Sequence, residues 1–229
     1  MIIAILLLAG KGLRLDKNNP KQFIKINNKE LFLYSLNTFL KIKKINHFIL
    51  VVSKNDYFKV QNILKREKIL NENISLVIGG DSRNESTFNA LKYIKANFNN
   101  VDTVLIHDSA RALVSKSIIN RNIKASYSYP CITTYIDEVD TIVESSNNEI
   151  KNYLKREKIK RIQTPQTFNF DLIYNLSLKN EKNYTDDTII CKKNGYNIKL
   201  VKGSSLNFKI TTKKDLILLK DLINNYEWN

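Results

Sequence analysis

Glycine and proline are scarce: the 229 residues include six glycines and three prolines, and neither is gathered into a run. No stretch therefore has the composition of a flexible linker or a low-complexity tract, and no repeat period stands out. A single domain over residues 1–229 is the expected organisation. Cysteine is scarcer still. Cys131 and Cys191 lack metal-ligand spacing and are too few for a disulfide framework, so a reducing, cytoplasmic setting is expected. Long apolar runs are missing as well. Residues 1–9 are apolar, but they carry no basic leader or small-residue cleavage site and pass straight into Gly10-Lys11-Gly12. That reads as a buried first strand rather than a signal peptide. Nothing approaches the roughly 18 apolar residues of a membrane span, so no membrane partner is expected.

What is present is enough apolar material, 43% of residues, for a sizeable core, together with a formal charge of +15. A positive excess suits nucleic acid, an acidic surface or phosphorylated small molecules. The lysines are spread along the whole chain, which also fits a plain solvated surface. A nucleic-acid groove needs basic and aromatic residues interleaved on one face. The singled-out polar residues instead fall at strand ends with a carboxylate among them, so no nucleic-acid partner is expected, and a non-catalytic basic module is the alternative of a different class.

Short β-branched runs alternate with segments of helical period. A strand over residues 2–8 leads to a helix with Phe32, Leu36, Phe39 and Leu40 on one face, then to a strand at 47–52. A helix at about 56–68, a strand at 74–78, a helix around 85–95 and a strand at 101–106 follow. That order predicts an α/β, doubly wound, mostly parallel Rossmann-like sheet, with ligands in the crevice outside the carboxyl ends of its strands. The alternation weakens after Cys131. Two short runs, 131–135 and 141–144, are read as part of an inserted β arm at about 135–156. A strand near 196–201 and a helix bearing Leu216, Leu219 and Ile223 close the chain, and Thr212 with Asp215 suits the capping box of that helix.

The loop after the first strand reads Leu8-Ala9-Gly10-Lys11-Gly12-Leu13-Arg14, then Pro20-Lys21-Gln22. A dinucleotide fingerprint would place glycine where Leu15 stands, and a P-loop would follow its lysine with Ser or Thr, so both are excluded. What remains is a turn whose amides, with Lys11, Arg14 and Lys21, suit a polyphosphate.

These residues resemble the signature of sugar-phosphate nucleotidyltransferases, and specifically the 2-C-methyl-D-erythritol 4-phosphate cytidylyltransferases. Six more blocks occur in the family's order: Gly79-Gly80-Asp81-Ser82-Arg83 with Ser86, His107-Asp108-Ser109-Ala110-Arg111, Asp140-Thr141, Gln163-Thr164-Pro165-Gln166, Thr185-Asp186-Asp187, and 207–211, Asn-Phe-Lys-Ile-Thr. The resemblance implies a nucleotidyltransferase-type fold and transfer of CMP from CTP to methylerythritol phosphate, with release of pyrophosphate. It makes Arg14, Lys21 and Lys209 the catalytic cations, and assigns the nucleotide to Ala9, Gly10, Gly12, Gly79, Gly80, Asp81, Arg83 and Ser86. Asp108 becomes the ligand of a Mg²⁺ cofactor. Arg111, Thr141, Arg156, Thr164 and Thr185 become the acceptor-phosphate set, with Thr141 and Arg156 supplied across a homodimer interface.

Each role has a plainer reading beside it. Asp108 at a strand end also suits a turn, Ser86 the first turn of a helix, Arg111 a carboxylate partner, and Thr185 a helix N-cap. His107, with no His or Cys partner nearby, reads as structural. Ala112, Val143 and Lys160 depart from the family's usual residues, and residues 140–145 also resemble ribitol 5-phosphate cytidylyltransferases, which keeps ribitol 5-phosphate as the alternative acceptor.

Overall fold

The computed structural model describes residues 1–10, 20–179 and 184–225. Strand β1 (Ile2–Leu7) is followed, past a 3-10 turn at Lys21–Phe23, by the short hairpin β2 (Lys25–Ile26) and β3 (Lys29–Glu30). Asn27 and Asn28 link that hairpin with φ of 49° and 62°, left-handed values that asparagine tolerates better than most residues. Next come α1 (Leu31–Leu40), β4 (His47–Val52), α2 (Tyr57–Arg66), β5 (Ile74–Ile78), α3 (Arg83–Asn97) and β6 (Thr103–Asp108). The chain continues through α4 (Lys116–Ser126), β7 (Cys131–Asp137), the hairpin β8 (Val143–Ser146) and β9 (Glu149–Tyr153), and β10 (Lys160–Asn169). It ends with α5 (Phe170–Lys179), α6 (Thr188–Lys193), β11 (Lys199–Lys202) and α7 (Lys213–Asn225).

Seven strands form one sheet in the order β11-β7-β10-β6-β1-β4-β5. All neighbours are parallel except β10, which runs antiparallel to both β6 and β7. The chain winds from β1 out to β5 and then returns to the other side of β1, so the sequence of strands reverses there and opens a crevice at the carboxyl ends of β1 and β6. Both faces of β1 are covered, which is why its run is apolar throughout and not alternating. Ala4 and Leu6 pack with Phe32, Leu36 and Phe39 of α1, while Ile3 and Ile5 pack on the opposite face with Ala90, Leu91 and Ile94 of α3. Each large side chain so buried contributes about 1.5–3 kcal/mol, enough to hold the sheet edge as a rigid mount for the loops above it.

The structure corrects the expected arm. Residues 131–135 belong to β7 of the central sheet, because Ile132, Thr133 and Thr134 are buried and a β-branched run of this kind suits an internal strand. The arm proper is the β8–β9 hairpin, turned by Asn147 and Asn148 at φ of 53° and 63°. Strand β10 escapes the hydrophobic pattern because Gln163, Thr164, Gln166 and Thr167 are polar, yet all four are buried and hydrogen-bonded inside the fold. Two boundary shifts matter for chemistry. β6 runs to Asp108, making that carboxylate the last residue of the strand, and α3 begins at Arg83, putting that guanidinium on the first helical turn. The capping box of α7 forms as expected, with Asp215 N–H donating to Thr212 Oγ1 at 3.2 Å and Thr212 N–H donating to Asp215 Oδ2 at 2.7 Å.

Candidate active site

A cavity of about 470 Å³ opens at the carboxyl ends of β1 and β6. Ala9 and Gly10 from the first loop, Lys21, the start of α3, Asp108 and Lys209 border it. All six come from segments singled out by motif, and all lie where the strand order reverses.

Asp108 is the charged centre. Its Oδ1 accepts from Arg83 Nε at 3.3 Å and its Oδ2 from Lys209 Nζ at 2.7 Å, while the residue is only 8% exposed. Burial by itself would raise this carboxyl, but Arg83 and Lys209 outweigh it and hold Asp108 far below the usual carboxylate range. The backbone beneath is locked by neutral groups. His107 is fully buried, and burial lowers its ring to about 4, so it is uncharged at neutral pH. Its Nε2 faces the Arg111 carbonyl at 3.2 Å, and a carbonyl only accepts, so Nε2 carries the proton. Nδ1 must then accept from the Thr164 hydroxyl at 3.1 Å, which in turn accepts from Asp108 N–H at 3.1 Å. The reading of His107 as structural agrees with this geometry. Thr164 does not border the cavity; its hydroxyl is used to hold the Asp108 backbone.

The segment 207–211 delivers Lys209 because it is stitched at several points. Asn207, fully buried, donates from Nδ2 to Gln163 Oε1 at 3.1 Å and to the Thr164 carbonyl at 2.9 Å. Ile210 N–H donates to the Ala110 carbonyl at 2.9 Å, and Lys21 Nζ donates to the Ile210 carbonyl at 2.8 Å. Arg111 donates from Nη1 to the Asn207 carbonyl at 2.9 Å, but its buried Nε has no partner. Among the described residues no carboxylate lies within ion-pair distance of Arg111, although Asp108 and Asp186 attract it at longer range. A cation so placed has capacity for an anion brought by a ligand.

The opposite wall is made by the turn into α3. Ser82 caps the helix by accepting from Glu85 N–H at 3.1 Å, and the Glu85 carboxylate reaches back to Asp81 N–H at 3.0 Å. Gly80 N–H donates to Ser86 Oγ at 3.1 Å. A Cβ on Gly79 would sit 2.7 Å from Ser86 Oγ and 2.8 Å from the Ala9 methyl, so that position requires glycine by close packing. The N-terminus of a helix of 15 residues therefore faces the cavity beside Arg83, an arrangement suited to anions.

Other expected site residues are not gathered here. Lys11, Gly12 and Arg14 lie outside the described residues. Thr141 and Arg156 are exposed on the arm, where Arg156 donates to the Val139 carbonyl at 3.1 Å. Thr185 is exposed and is not the cap of α6; that bond goes to the Asp186 carboxylate, which accepts from Thr188 N–H at 2.9 Å. One group escaped sequence reasoning. Asp187, 6% exposed, accepts from Arg83 Nη1 at 2.6 Å, so the guanidinium bridges two carboxylates. The acidic pair after Thr185 was its only signal.

The model of the IspD family, 2-C-methyl-D-erythritol 4-phosphate cytidylyltransferase, matches residues 2–225. The chain belongs to that family. It is 37% identical over 96% of both chains to the 2-C-methyl-D-erythritol 4-phosphate cytidylyltransferase of Thermosipho melanesiensis, and 36% identical to that of Clostridium tetani over 97% of this chain and 90% of the relative. A solved 4-diphosphocytidyl-2C-methyl-D-erythritol synthase from Anaerococcus prevotii superposes with a TM-score of 0.85 at 29% identity, covering 98% of this chain and 96% of that one. The carboxylates at the cavity bear on the cofactor. Among the described residues no three His, Cys, Asp or Glu side chains gather as a metal cage. Asp108 and Asp81 are the carboxylates that border the cavity, and Mg²⁺ keeps waters and takes one or two carboxylates together with substrate phosphates, so Asp108 fits it.

Proposed function

We propose that this cytidylyltransferase transfers CMP from CTP to 2-C-methyl-D-erythritol 4-phosphate, forming 4-diphosphocytidyl-2-C-methyl-D-erythritol and pyrophosphate for isoprenoid precursor synthesis. The observation that carries this reading is the convergence of Arg83, Lys209 and Lys21 on one cavity around Asp108, in a chain that matches the family over nearly its whole length. A phosphate oxygen of the acceptor attacks the α-phosphorus as the bond to pyrophosphate breaks, and no covalent enzyme intermediate is required. The protein's work is positioning and charge neutralisation. Lys21 and Arg14 neutralise the triphosphate, the α3 N-terminus and Arg83 orient it, and Gly79, Gly80, Asp81 and Ser86 read the edge of cytosine. Arg111 and Lys209 hold the acceptor phosphate.

Asp108 would hold Mg²⁺, which when bound neutralises charge on the triphosphate oxygens. Thr141 and Arg156 complete the acceptor site from a second copy in a homodimer, a role that suits polar groups left in solvent on the arm, and Thr185 adds a hydroxyl from the same chain. The two buried, unbridged thiols of Cys131 and Cys191 are compatible with a cytoplasmic enzyme. Among the described residues no helix is long and apolar enough to cross a membrane.

The test is pyrophosphate release from CTP and Mg²⁺, with methylerythritol 4-phosphate and ribitol 5-phosphate offered separately. Release with the former is expected. Release with ribitol 5-phosphate alone reassigns the acceptor, and release with neither overturns the activity.

A further inference from the structure

We propose that Asp187 is a positioning residue for this reaction: it holds one side of the Arg83 guanidinium, so that Arg83 keeps its orientation at the triphosphate position and does not displace Lys209 from Asp108. The inference rests on the activity proposed above.

Arg83 is fixed from two directions. Its Nε meets Asp108 Oδ1 at 3.3 Å, a long contact, whereas its Nη1 meets Asp187 Oδ2 at 2.6 Å. The two carboxylates arrive from different elements, Asp108 at the end of β6 and Asp187 immediately before α6. Asp187 itself is placed from behind, because the neighbouring Asp186 binds both Thr188 N–H and the Gln166 side chain, the latter at 2.6 Å. An arginine fork beside a single carboxylate tends to take both oxygens. Here Lys209 already engages Asp108 Oδ2, so a guanidinium released from Asp187 would close on Asp108, compete with Lys209 and turn its donors out of the orientation the reaction needs, while still lying beside the triphosphate.

Charge makes the effect recognisable. Arg83 and Lys209 face Asp108 and Asp187, two positive against two negative groups. Removing the negative charge of Asp187 makes the cavity more attractive to a nucleotide, not less. A positioning role therefore predicts slower turnover without weaker nucleotide binding. A residue that only stabilised the fold would move both with stability.

The experiment compares the wild-type chain with Asp187→Asn, which keeps shape and an acceptor oxygen but drops the charge. Asp186→Asn is the comparison that loosens the same turn without removing a direct hydrogen bond to Arg83. Three quantities are read: thermal midpoint, Kd for CTP by calorimetry in Mg²⁺ without acceptor, and kcat with methylerythritol 4-phosphate. For Asp187→Asn the expected result is a fall in kcat of about tenfold to a hundredfold, the scale of a misplaced catalytic group. The Kd for CTP stays within about threefold of wild type or tightens, as a lost negative charge requires. Asp186→Asn lowers the thermal midpoint and costs less kcat than Asp187→Asn, because Arg83 keeps its carboxylate partner. A kcat for Asp187→Asn within about twofold of wild type overturns the proposal, as does a larger kcat loss in Asp186→Asn than in Asp187→Asn.

A measurement on the wild type keeps the test available if Asp187→Asn does not fold. The Arg83 side-chain N–H signals, assigned with Arg83→Lys, should remain protected from solvent exchange when CTP binds; loss of that protection overturns the proposal. A wild-type chain that binds CTP but releases no pyrophosphate refutes the activity, while the calorimetry and exchange results still decide the role of Asp187.

Discussion

The cavity floor and the arm hold charged residues in opposite ways. On the floor, Asp108, Arg83, Asp187 and Lys209 form a continuous chain of contacts between 2.6 and 3.3 Å, over a His107 and Thr164 network with no exposed member. On the arm, Thr141 and Arg156 stand in solvent, and the hairpin side chains of β8 and β9 are mostly exposed, Ile150 and Tyr153 among them. The floor is finished within one chain, since burying charge is tolerable only when each group has its partner. The arm has no such constraint, and its exposed apolar groups beside Thr141 and Arg156 suit the second copy proposed above.

That contrast can be broken from the floor first. Lys209→Ala removes one of two cations on Asp108 and the donor proposed for the acceptor phosphate, and turnover should fall by about two to three orders of magnitude, as for loss of one preorganised donor at a reacting centre. Steady-state kinetics with both substrates saturating checks this; turnover within tenfold of wild type would remove Lys209 from the machinery.

The next effect is on stability rather than rate. His107 is neutral in the fold with its ring lowered to about 4, whereas an unfolded histidine titrates near 6.5. The unfolded chain therefore binds the extra proton first. The contribution of this site is fully present above about pH 6.5 and is lost as pH falls towards 4, by about 3 kcal/mol in all. Urea unfolding between pH 4 and 7 should show a steeper acid loss for the wild type than for His107→Gln, which has no proton to take up; parallel curves would mean that the ring is not buried as described.

The smallest effect is sought on the arm. Arg156→Ala should lower turnover by about tenfold, the scale of one charge-assisted contact, while leaving unfolding unchanged. Mixed and re-equilibrated with Lys209→Ala, it should recover about a quarter of wild-type activity, because half of the dimers then carry one intact site. No recovery above the sum of the two variants would place Arg156 and Lys209 in the same chain's site, and the floor and arm would cease to be complementary halves.

Legibility in the sequence followed the same division. The β1 run and the α1 face of Phe32, Leu36 and Phe39 announced themselves because hydrophobic period is a local property; the glycine pair at 79 and 80 was named from its motif, while the close packing of Gly79 on Ala9 comes from far along the chain. Asp108 and Lys209 were named from motifs, although neither period nor spacing says that they touch. Strand β10 went unread because Gln163, Gln166 and Thr167 look like surface residues until partners such as Thr133 and Asn122 are brought beside them. Asp187 was visible only as one of two adjacent acids.

From its residues alone this chain determined a doubly wound sheet, the crevice end of that sheet, its family signature and the cations expected there, since each depends on patterns within a few positions. Folding decided which charges meet. Asp108, Arg83, Asp187 and Lys209 lie on four separate segments, and Arg83 is 104 positions from Asp187. An electrostatic contact depends on distance in space, which no spacing along a chain records.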